Sequence, residues 1–284
     1  MRLGRIGDVG KERPVVVGAD GSLLDLSPVC PDITPVFLAT GGLKAVRHAV
    51  ETGQLAPIDA EPDVRIGAPL NRPPKVLCIG LNYSDHAEES AMDLPVEPIL
   101  FAKMPNTVVG PNDTVLIPRG STKTDYEVEL AVVIGREAKY LSSESEAMDA
   151  IAGYTISNDV SEREFQLERG GQWIKGKSCE TFNPLGPWLV TADEVGDPQT
   201  LGLRLWVNDK LRQDGTTKNM VFDVAHLVWY VSQFLVLEPG DVINTGTPSG
   251  VAFGSDGIPY LRPGDVVELE IDGLGRQRQV IAPA

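Results

Sequence analysis

Two glutamates separated by one residue carry the clearest chemical signal in this sequence. Glu127 and Glu129 lie in a stretch that runs directly into an apolar segment, 131–135, which is typical of a buried strand. Side chains two residues apart on a strand point to the same face, so both carboxylates would project from an otherwise apolar element. Ionised carboxylates held together in a core repel each other and are costly to remove from water. A divalent cation would neutralise both.

A third carboxylate extends this pair to a candidate metal site. Asp159 ends a second apolar, strand-like run, 153–159. Three oxygen ligands suit Mg²⁺ or Mn²⁺ and leave coordination positions open for a substrate and water. The alternative is that all three carboxylates face solvent at strand edges. For the two glutamates alone the interpretations are about equally good, and the motifs that follow favour the metal.

A histidine and a glutamate three residues apart indicate an acid–base pair. His86 and Glu89 follow a strand-like run and lie on a short predicted helix, where residues three apart share a face. A carboxylate beside an imidazole orients the ring and raises its basicity, as a general base that activates water requires. The alternative is a surface helix that carries one histidine by chance, and the spacing alone favours that alternative.

An arginine and a glutamine follow Asp159 at helical spacing. Arg163 and Gln166 would share one helix face, and an arginine can bind a carboxylate through two hydrogen bonds. Together they could reach a carboxylate or carbonyl of a substrate bound at the metal. The alternative is an exposed helix on which Arg163 pairs with neighbouring glutamates.

Two lysines and a threonine are further candidates for contact with an anionic group. Lys175 or Lys177 could stabilise an oxyanion or enolate near a metal. On an extended segment they would share a face, so spacing alone does not distinguish them. Thr247 lies in the loop 245–251, whose hydroxyls and backbone amides could bind a carboxylate. That loop lacks the Gly-Lys-Ser/Thr ending of a phosphate-binding loop.

Composition and missing signatures exclude several classes of protein. The 284 residues carry a formal net charge of −15, which repels nucleic acid and anionic lipid, so neither is an expected partner. No apolar run is long enough to span a bilayer, and the first residues lack a secretory pattern. The three cysteines are widely spaced, which favours reduced thiols in the cytoplasm. The motifs of serine hydrolases, zincins and nicotinamide-dependent enzymes are absent.

A strand-rich α+β fold is expected to position these residues. Strand-like runs dominate from residue 75 and do not alternate regularly with helices, which argues against a doubly wound sheet. Helices are predicted over 43–51 and 225–235. Capping boxes predict two more helix starts, at Ser143 with Glu146 and at Ser161 with Glu164.

The chain is predicted to divide into two domains. Residues 1–70 would form a small N-terminal domain. A segment rich in proline and charge, 56–74, would connect it to a catalytic domain over 71–284.

These motifs together resemble those of the fumarylacetoacetate hydrolase superfamily. The resemblance covers about residues 75–279 and rests on five segments in the order of the family. They are GLNYSDH at 80–86, DYEVE at 125–129, NDVSER at 158–163, KGKS at 175–178 and TGTP at 245–248.

The resemblance implies a fold, a cofactor and a set of roles. The fold would be a mixed β-roll catalytic domain with a small N-terminal domain, in a homodimer that binds a small-molecule 2-oxo acid. The cofactor would be Mg²⁺ or Mn²⁺. The implied residues are the metal ligands Glu127, Glu129 and Asp159, the catalytic Lys177, the water-activating pair His86 and Glu89, and Thr247 for the substrate carboxylate.

The resemblance also implies a reaction. Segments 165–173 and 186–191 are similar to a bacterial branch of 2,4-diketo-3-deoxy-L-rhamnonate or fuconate hydrolases. The expected activity is hydrolytic cleavage of a carbon–carbon bond in a 2,4-diketo acid, either an acylpyruvate or a diketo sugar acid, to give pyruvate and a carboxylic acid. Alternatives on the same metal site are oxaloacetate decarboxylation, hydration of a 2-oxo-alkenoate, tautomerisation and ureidoglycolate lysis. A non-catalytic cation-binding protein would not need both His86 and Lys177.

Overall fold

The computed structural model describes residues 1–61, 63–89, 93–255 and 257–284. For His86, Ala87 and Glu89 it describes the backbone alone.

Short strands dominate the described residues. In chain order they are β1 (Arg2–Ile6), β2 (Arg13–Val17), β3 (Leu23–Asp25), β4 (Ile66–Gly67), β5 (Val76–Gly80), β6 (Ile99–Lys103), β7 (Val108–Val109), β8 (Val115–Ile117), β9 (Thr124–Asp125), β10 (Val128–Ile134), β11 (Ile151–Asn158), β12 (Ser161–Glu162), β13 (Asn183–Thr191), β14 (Gly202–Val207), β15 (Lys210–Thr216), β16 (Val242–Asn244), β17 (Val266–Ile271) and β18 (Gly275–Pro283).

The helices are short and lie between these strands. They are α1 (Pro35–Ala39), α2 (Gly42–Glu51), α3 (Ser84–Glu89), α4 (Glu144–Met148), α5 (Ile174–Lys177), α6 (Ala192–Val195) and α7 (Val224–Ser232). Single 3₁₀ turns occur at Pro105–Thr107, Pro198–Thr200 and Thr217–Asn219, and a π-helix spans Glu164–Glu168. None of the helices in the described ranges combines the length and the apolar character that a bilayer crossing needs.

Two mixed sheets form the body of the fold. The larger has the order β3-β2-β1-β13-β11-β10-β16-β5-β6, with β4 beside β1 and β7 beside β13. The smaller has the order β15-β14-β17-β18-β8, and β9 pairs with β12 separately. Both sheets mix parallel with antiparallel pairs, for example β16 parallel to β5 and β10 antiparallel to β11. The predicted strand-rich α+β class is therefore confirmed.

Strand β10 separates two apolar cores. Val128, Leu130 and Val132 join the cluster that includes residues of the smaller sheet, whereas Ala131 and Val133 join the cluster built with the N-terminal residues. Every residue of β10 is buried. Because alternate residues of a strand point to opposite faces, Glu129 lies on the same face of β10 as Ala131 and Val133.

The N-terminal residues extend the larger sheet. Strand β1 pairs antiparallel with β13, with Leu3 opposite Leu189. Leu3 and Val46 of α2 pack in one cluster with Ala131 and Leu189. A division of the chain at residue 70 stays a prediction.

The helix predictions have mixed outcomes. The helix over 43–51 is confirmed as α2, and the helix over 225–235 begins one residue earlier and ends at Ser232. Ser143 caps α4 by accepting a hydrogen bond from the Glu146 amide at 3.2 Å, as predicted.

The second capping box is wrong. Ser161 belongs to strand β12, which pairs with β9, and its hydroxyl donates to the Asp159 carbonyl at 2.9 Å. A π-helix follows instead, and it begins after Arg163 without a side-chain cap.

Candidate active site

The three predicted metal ligands converge at one end of β10 and β11. Oxygen atoms of Glu127, Glu129 and Asp159 all lie within 4.8 Å of one another, and all three side chains are buried. The antiparallel register places Val128 opposite Asn158, so the first residues of β10 meet the last residues of β11. Asp159 follows immediately, and its amide donates to the Glu127 carbonyl at 3.0 Å.

One detail of the sequence prediction is wrong. Glu127 does not share a strand with Glu129, because it lies in the break between β9 and β10. Its amide donates to the side-chain oxygen of Asn158, at the end of β11, at 3.1 Å rather than to a backbone carbonyl of that strand. The carboxylates converge because hydrogen bonds join the chain at Glu127 to Asn158 and Asp159, and not through strand alternation alone.

Three buried cations surround the carboxylates. Lys177 Nζ lies 2.8 Å from Glu127 Oε2 and 2.9 Å from Asp159 Oδ2. The ammonium of Lys103 contacts the other oxygen of Asp159 and donates to the Val160 carbonyl at 2.9 Å. Arg163 Nη2 lies 2.7 Å from Glu127 Oε1. Because these carboxylates are negative, they raise the pKa of Lys177 and of Arg163, against the opposing effect of burial.

Glu129 is the carboxylate of this group that lacks a cation. Among the described residues it forms no ion pair, and it accepts a hydrogen bond from the Gly246 amide at 2.8 Å. Burial, followed by the charges of Asp159 and Glu127, holds its pKa well above the usual range for a glutamate. A carboxylate with this environment fits a cation that the described residues do not supply.

The charge count also fits a divalent ion. With Asp125, which pairs with Arg163 at 2.8 Å, the described cluster has four carboxylates against Lys103, Arg163 and Lys177. With all four carboxylates ionised, one negative charge would be left over in this buried site. A divalent cation would turn it into one positive charge, which suits an anionic substrate.

The structure distinguishes the two lysines. Both lie on α5, and residues two apart on a helix are separated by about 200°. Lys177 points to the carboxylates and is 2% exposed. Lys175 instead donates to the Arg169 carbonyl near the surface.

Arg163 and Gln166 lie together in the site. Arg163 Nη1 donates to Gln166 Oε1 at 3.2 Å, and both side chains are buried, so the alternative of an exposed pairing helix is wrong. Gly176 permits this arrangement, since a Cβ there would lie 2.5 Å from the Gln166 nitrogen. The carboxylate of Asp125 fixes Arg163 and accepts from the amides of Ala252 and Phe253 at 2.9 and 3.0 Å.

The hydroxyl of Thr247 is already engaged. It donates to the Val128 carbonyl at 2.8 Å and accepts from Gln213 Nε2 at 2.8 Å. A hydroxyl has one proton to donate, so hydrogen bonding from Thr247 to a substrate carboxylate requires it to leave Val128.

The side chains of His86 and Glu89 lie outside the described part of the chain. Helix α3, which carries them, begins three residues after Leu81, and Leu81 lines the cleft described below. Asn82 anchors this segment by donating to the carbonyls of Thr245 and Phe222 at 2.8 and 3.0 Å. Their assignment as a water-activating pair stays a prediction.

A cleft opens onto these groups. Its polar part, which we call the floor, consists of Glu127, Glu129, Arg163, Gln166, Lys177 and Thr247. Its apolar part, which we call the wall, consists of Ile79, Leu81, Phe101, Leu167, Trp173 and Phe253. Two of the three predicted metal ligands, Glu127 and Glu129, thus line one cavity with the predicted substrate contacts.

Two residues of the site were missed by sequence reasoning. Lys103 ends the apolar strand β6 and is 1% exposed, a rare environment for a lysine that the sequence pattern could have revealed. Asp125 belongs to the same segment as Glu127, but its partner Arg163 lies 38 residues away in the chain. Only the folded chain shows that pairing.

Comparisons with known proteins assign the family. Residues 75–282 match the family described as Fumarylacetoacetate (FAA) hydrolase C-terminal, and the chain belongs to this family. A Burkholderia multivorans protein with a general hydrolase name is 50% identical over 285 residues, covering 100% of both chains.

Solved structures of this superfamily share the fold over the full chain. Fumarylacetoacetate hydrolase from Exiguobacterium antarcticum has a TM-score of 0.87 at 35% identity, with 100% of both chains covered. Maleylpyruvate hydrolase from Sphingobium sp. SYK-6, solved with manganese(II) and pyruvate, has a TM-score of 0.82 at 29% identity and covers 100% of both chains.

Proposed function

We propose that this protein is a divalent-metal-dependent hydrolase that cleaves a carbon–carbon bond of a 2,4-diketo acid to give pyruvate and a carboxylic acid. The observation that carries the proposal is the buried triad of Glu127, Glu129 and Asp159. Within the described part of the chain, Glu129 contacts no cation, and Lys177 contacts the other two members of the triad. The Sphingobium relative, which is named a maleylpyruvate hydrolase and holds manganese and pyruvate, supports the same type of substrate and ion.

The triad would hold Mg²⁺ or Mn²⁺. The oxygen-only ligand set suits either ion and disfavours softer metals. When bound, the ion supplies Lewis acidity that polarises the 2-oxo acid and stabilises the negative charge that develops on it.

Each of the remaining roles in the reaction belongs to a side chain of the site. His86, oriented by Glu89, removes a proton from water, and the water oxygen attacks the C4 carbonyl. The C3–C4 bond then breaks, and its electron pair passes to the pyruvate half as an enolate, which is protonated to pyruvate. Lys177 has three N–H groups and donates two of them to Glu127 and Asp159, so the third can reach a substrate oxygen. Arg163 and Gln166 would orient the carboxylate end.

We also propose an oligomeric state and a cellular compartment for the enzyme. The family resemblance supports a homodimer that acts in the cytoplasm on a small 2-oxo acid. Size-exclusion chromatography with light scattering would test the dimer, and a monomer at assay concentration would contradict it.

A coupled pyruvate-release assay tests the reaction. The substrates are acylpyruvates, a 2,4-diketo-3-deoxy sugar acid and oxaloacetate, each assayed after EDTA treatment and after Mg²⁺ or Mn²⁺ is restored. We expect release from a diketo acid that stops with EDTA and returns with the ion. Full activity of the metal-free protein would overturn the proposal.

Two variants separate hydrolysis from decarboxylation. His86→Ala should lower hydrolytic turnover by roughly 10²–10⁴-fold, the usual contribution of a positioned base. Glu89→Gln should impair hydrolysis more than oxaloacetate decarboxylation, which needs no attacking water. Oxalate binding should change little in either variant. An equal fall in oxalate affinity and turnover would make His86 a binding residue.

A further inference from the structure

We infer that the substrate group beyond C4 is uncharged and apolar, an aliphatic or aromatic acyl chain. The inference rests on the proposed function, because it names which 2,4-diketo acids that site accepts. It disfavours both a polyhydroxylated sugar acid and a second carboxylate at the distal end.

The wall of the cleft carries the inference. Every described residue that lines the cleft outside the floor is aliphatic, aromatic or the glycine Gly80. If the 2-oxo acid end binds the floor, the distal group of a 2,4-diketo acid lies against this wall. An apolar group gains free energy by leaving water for such a surface, whereas a hydroxyl finds no partner there.

The wall has a defined shape. Phe101 and Trp173 pack edge to face with ring centroids 5.1 Å apart. Trp173 fits over strand β5 because residue 80 is glycine, and a Cβ at Gly80 would lie 2.7 Å from the indole ring. A fixed aromatic surface of this kind favours contact with an extended or planar apolar group.

The rings of the wall also face the cations of the floor. Lys177 Nζ lies 5.2 Å from the centroid of Phe101, and the guanidinium of Arg163 lies 5.4 Å from that of Phe253. These contacts join wall and floor into one surface. They also hold both cations at the floor, away from the distal end.

Apart from Arg163 and Lys177, no described cation lines the cleft where it could pair with a distal carboxylate. Arg163 and Lys177 are paired with the carboxylates of the floor. On the adjacent segment, Arg169 pairs with Glu164 and Lys175 donates to a backbone carbonyl. A carboxylate buried against the wall would lose its hydration without gaining a partner.

Matched substrates measure this preference. In butanoylpyruvate a methyl group occupies the place of the distal carboxylate of succinylpyruvate, so the pair tests charge at nearly constant length. We expect kcat/KM to rise about fourfold for each methylene from acetylpyruvate to butanoylpyruvate. We expect succinylpyruvate and a 2,4-diketo-3-deoxy sugar acid to fall at least roughly tenfold below butanoylpyruvate.

A binding measurement tests the same preference without turnover. Calorimetry with the Mg²⁺-loaded protein compares 2-oxohexanoate with 2-oxoadipate, which differ by the same exchange of methyl for carboxylate. We expect 2-oxohexanoate to bind at least roughly tenfold more tightly.

A pair of leucine variants locates the effect in the wall. Leu167 and Leu235 are 36% and 37% exposed, and only Leu167 lines the cleft. Leu167→Gln should lower the ratio of butanoylpyruvate to acetylpyruvate turnover by about fourfold or more. Leu235→Gln should leave that ratio unchanged. Equal ratios in the two variants would show that the wall does not select the substrate.

The outcomes separate this inference from the proposed function. Pyruvate release that is as fast from succinylpyruvate or the sugar acid as from butanoylpyruvate overturns the inference and leaves the hydrolase intact. If no diketo acid releases pyruvate, the proposed function fails and calorimetry decides the inference. Binding of 2-oxoadipate as tight as that of 2-oxohexanoate then overturns it.

Discussion

Two clusters of charged side chains differ in whether every carboxylate contacts a described cation. The first, which we call the N-terminal cluster, joins Arg5 and Arg65 with Glu12, Asp32 and Asp113. Each of its carboxylates contacts an arginine: Glu12 contacts both, Asp32 contacts Arg5 and Asp113 contacts Arg65. The side chains of Asp32, Asp113 and Arg65 are 18%, 22% and 25% exposed, so water reaches them.

The second cluster, which we call the floor cluster, joins Lys103, Arg163 and Lys177 with Asp125, Glu127, Glu129 and Asp159. It has the same charge imbalance as the N-terminal cluster, but its carboxylates are not all paired with a described cation. Each cluster has one more carboxylate than it has cations among the described residues. In the floor, however, Glu129 contacts no described cation and is 2% exposed. A charge imbalance at a hydrated surface costs little, whereas in a dry site it is expensive. The N-terminal cluster is therefore complete as a structural element, whereas the floor cluster fits the bound divalent ion that we propose.

The strongest test of this contrast is Glu129→Gln. The variant removes a proposed metal ligand that pairs with no described lysine, and its amide oxygen can still accept from Gly246. Turnover should fall by more than the roughly 10²–10³-fold cost of losing one electrostatic element, and Mg²⁺ should no longer raise the Tm. Wild-type turnover in this variant would remove Glu129 from the metal site.

The same variant should stabilise the metal-free protein. A carboxyl whose folded pKa is raised contributes full stability at low pH and loses it as the pH rises through that pKa. Glu129→Gln removes this loss, so at neutral pH the free energy of unfolding should rise. Glu12→Gln is the matched control and should lower the free energy of unfolding, because both of its arginine contacts weaken. Urea unfolding in EDTA measures both.

The second test replaces one lysine of the floor and, in a separate variant, one lysine outside it. Lys177→Met should lower turnover by roughly 10²–10³-fold, since its charge acts in a water-poor site. Lys175→Met should have little effect, because its ammonium contacts a backbone carbonyl near the surface. Circular dichroism must first show that both variants fold. Equal losses of turnover in two folded variants would mean that the positive charge is shared.

The third test concerns Lys103, which contacts Asp159 from the side opposite Lys177. Loss of a group that orients a ligand typically costs about 10–100-fold in metal affinity. Lys103→Met should therefore weaken Mn²⁺ binding by that amount in a calorimetric titration. Lys123, which pairs with Glu168 and is 36% exposed, provides the control variant Lys123→Met. An unchanged affinity in Lys103→Met would show that Asp159 does not depend on Lys103.

The smallest effect on catalysis is expected in the N-terminal cluster. Arg65→Met removes two partly exposed ion pairs, to Glu12 and Asp113. The free energy of unfolding should fall by about 1–2 kcal/mol, and kcat/KM should stay within about twofold of wild type. A large loss of activity at unchanged stability would connect this cluster to the active site.

Sequence patterns predicted which residues belong to the active site better than they predicted how those residues are arranged. Glu127, Glu129 and Asp159 were identified because charged residues in apolar runs are exceptional. The helix predicted from Ser161 was wrong, since pairing of β12 with β9 overrides a local capping pattern. The choice between Lys175 and Lys177 stayed open from spacing, because the helical turn of α5 could not be recognised from four residues.

By itself the sequence determined the strand-rich class, the oxygen-ligand chemistry and the family, since each depends on residue types and short spacings. Tertiary structure decided that Lys103 contacts Asp159, that Glu129 lacks a cation among the described residues, and that the wall of the cleft is apolar. These properties depend on residues that are distant in the chain. The residues of the wall, for example, come from β5, from β6, from the π-helix, from the position before α5 and from the loop that holds Phe253. Periodicity fixes which way a side chain points along its own element, and only the register of the sheets determines which side chains meet.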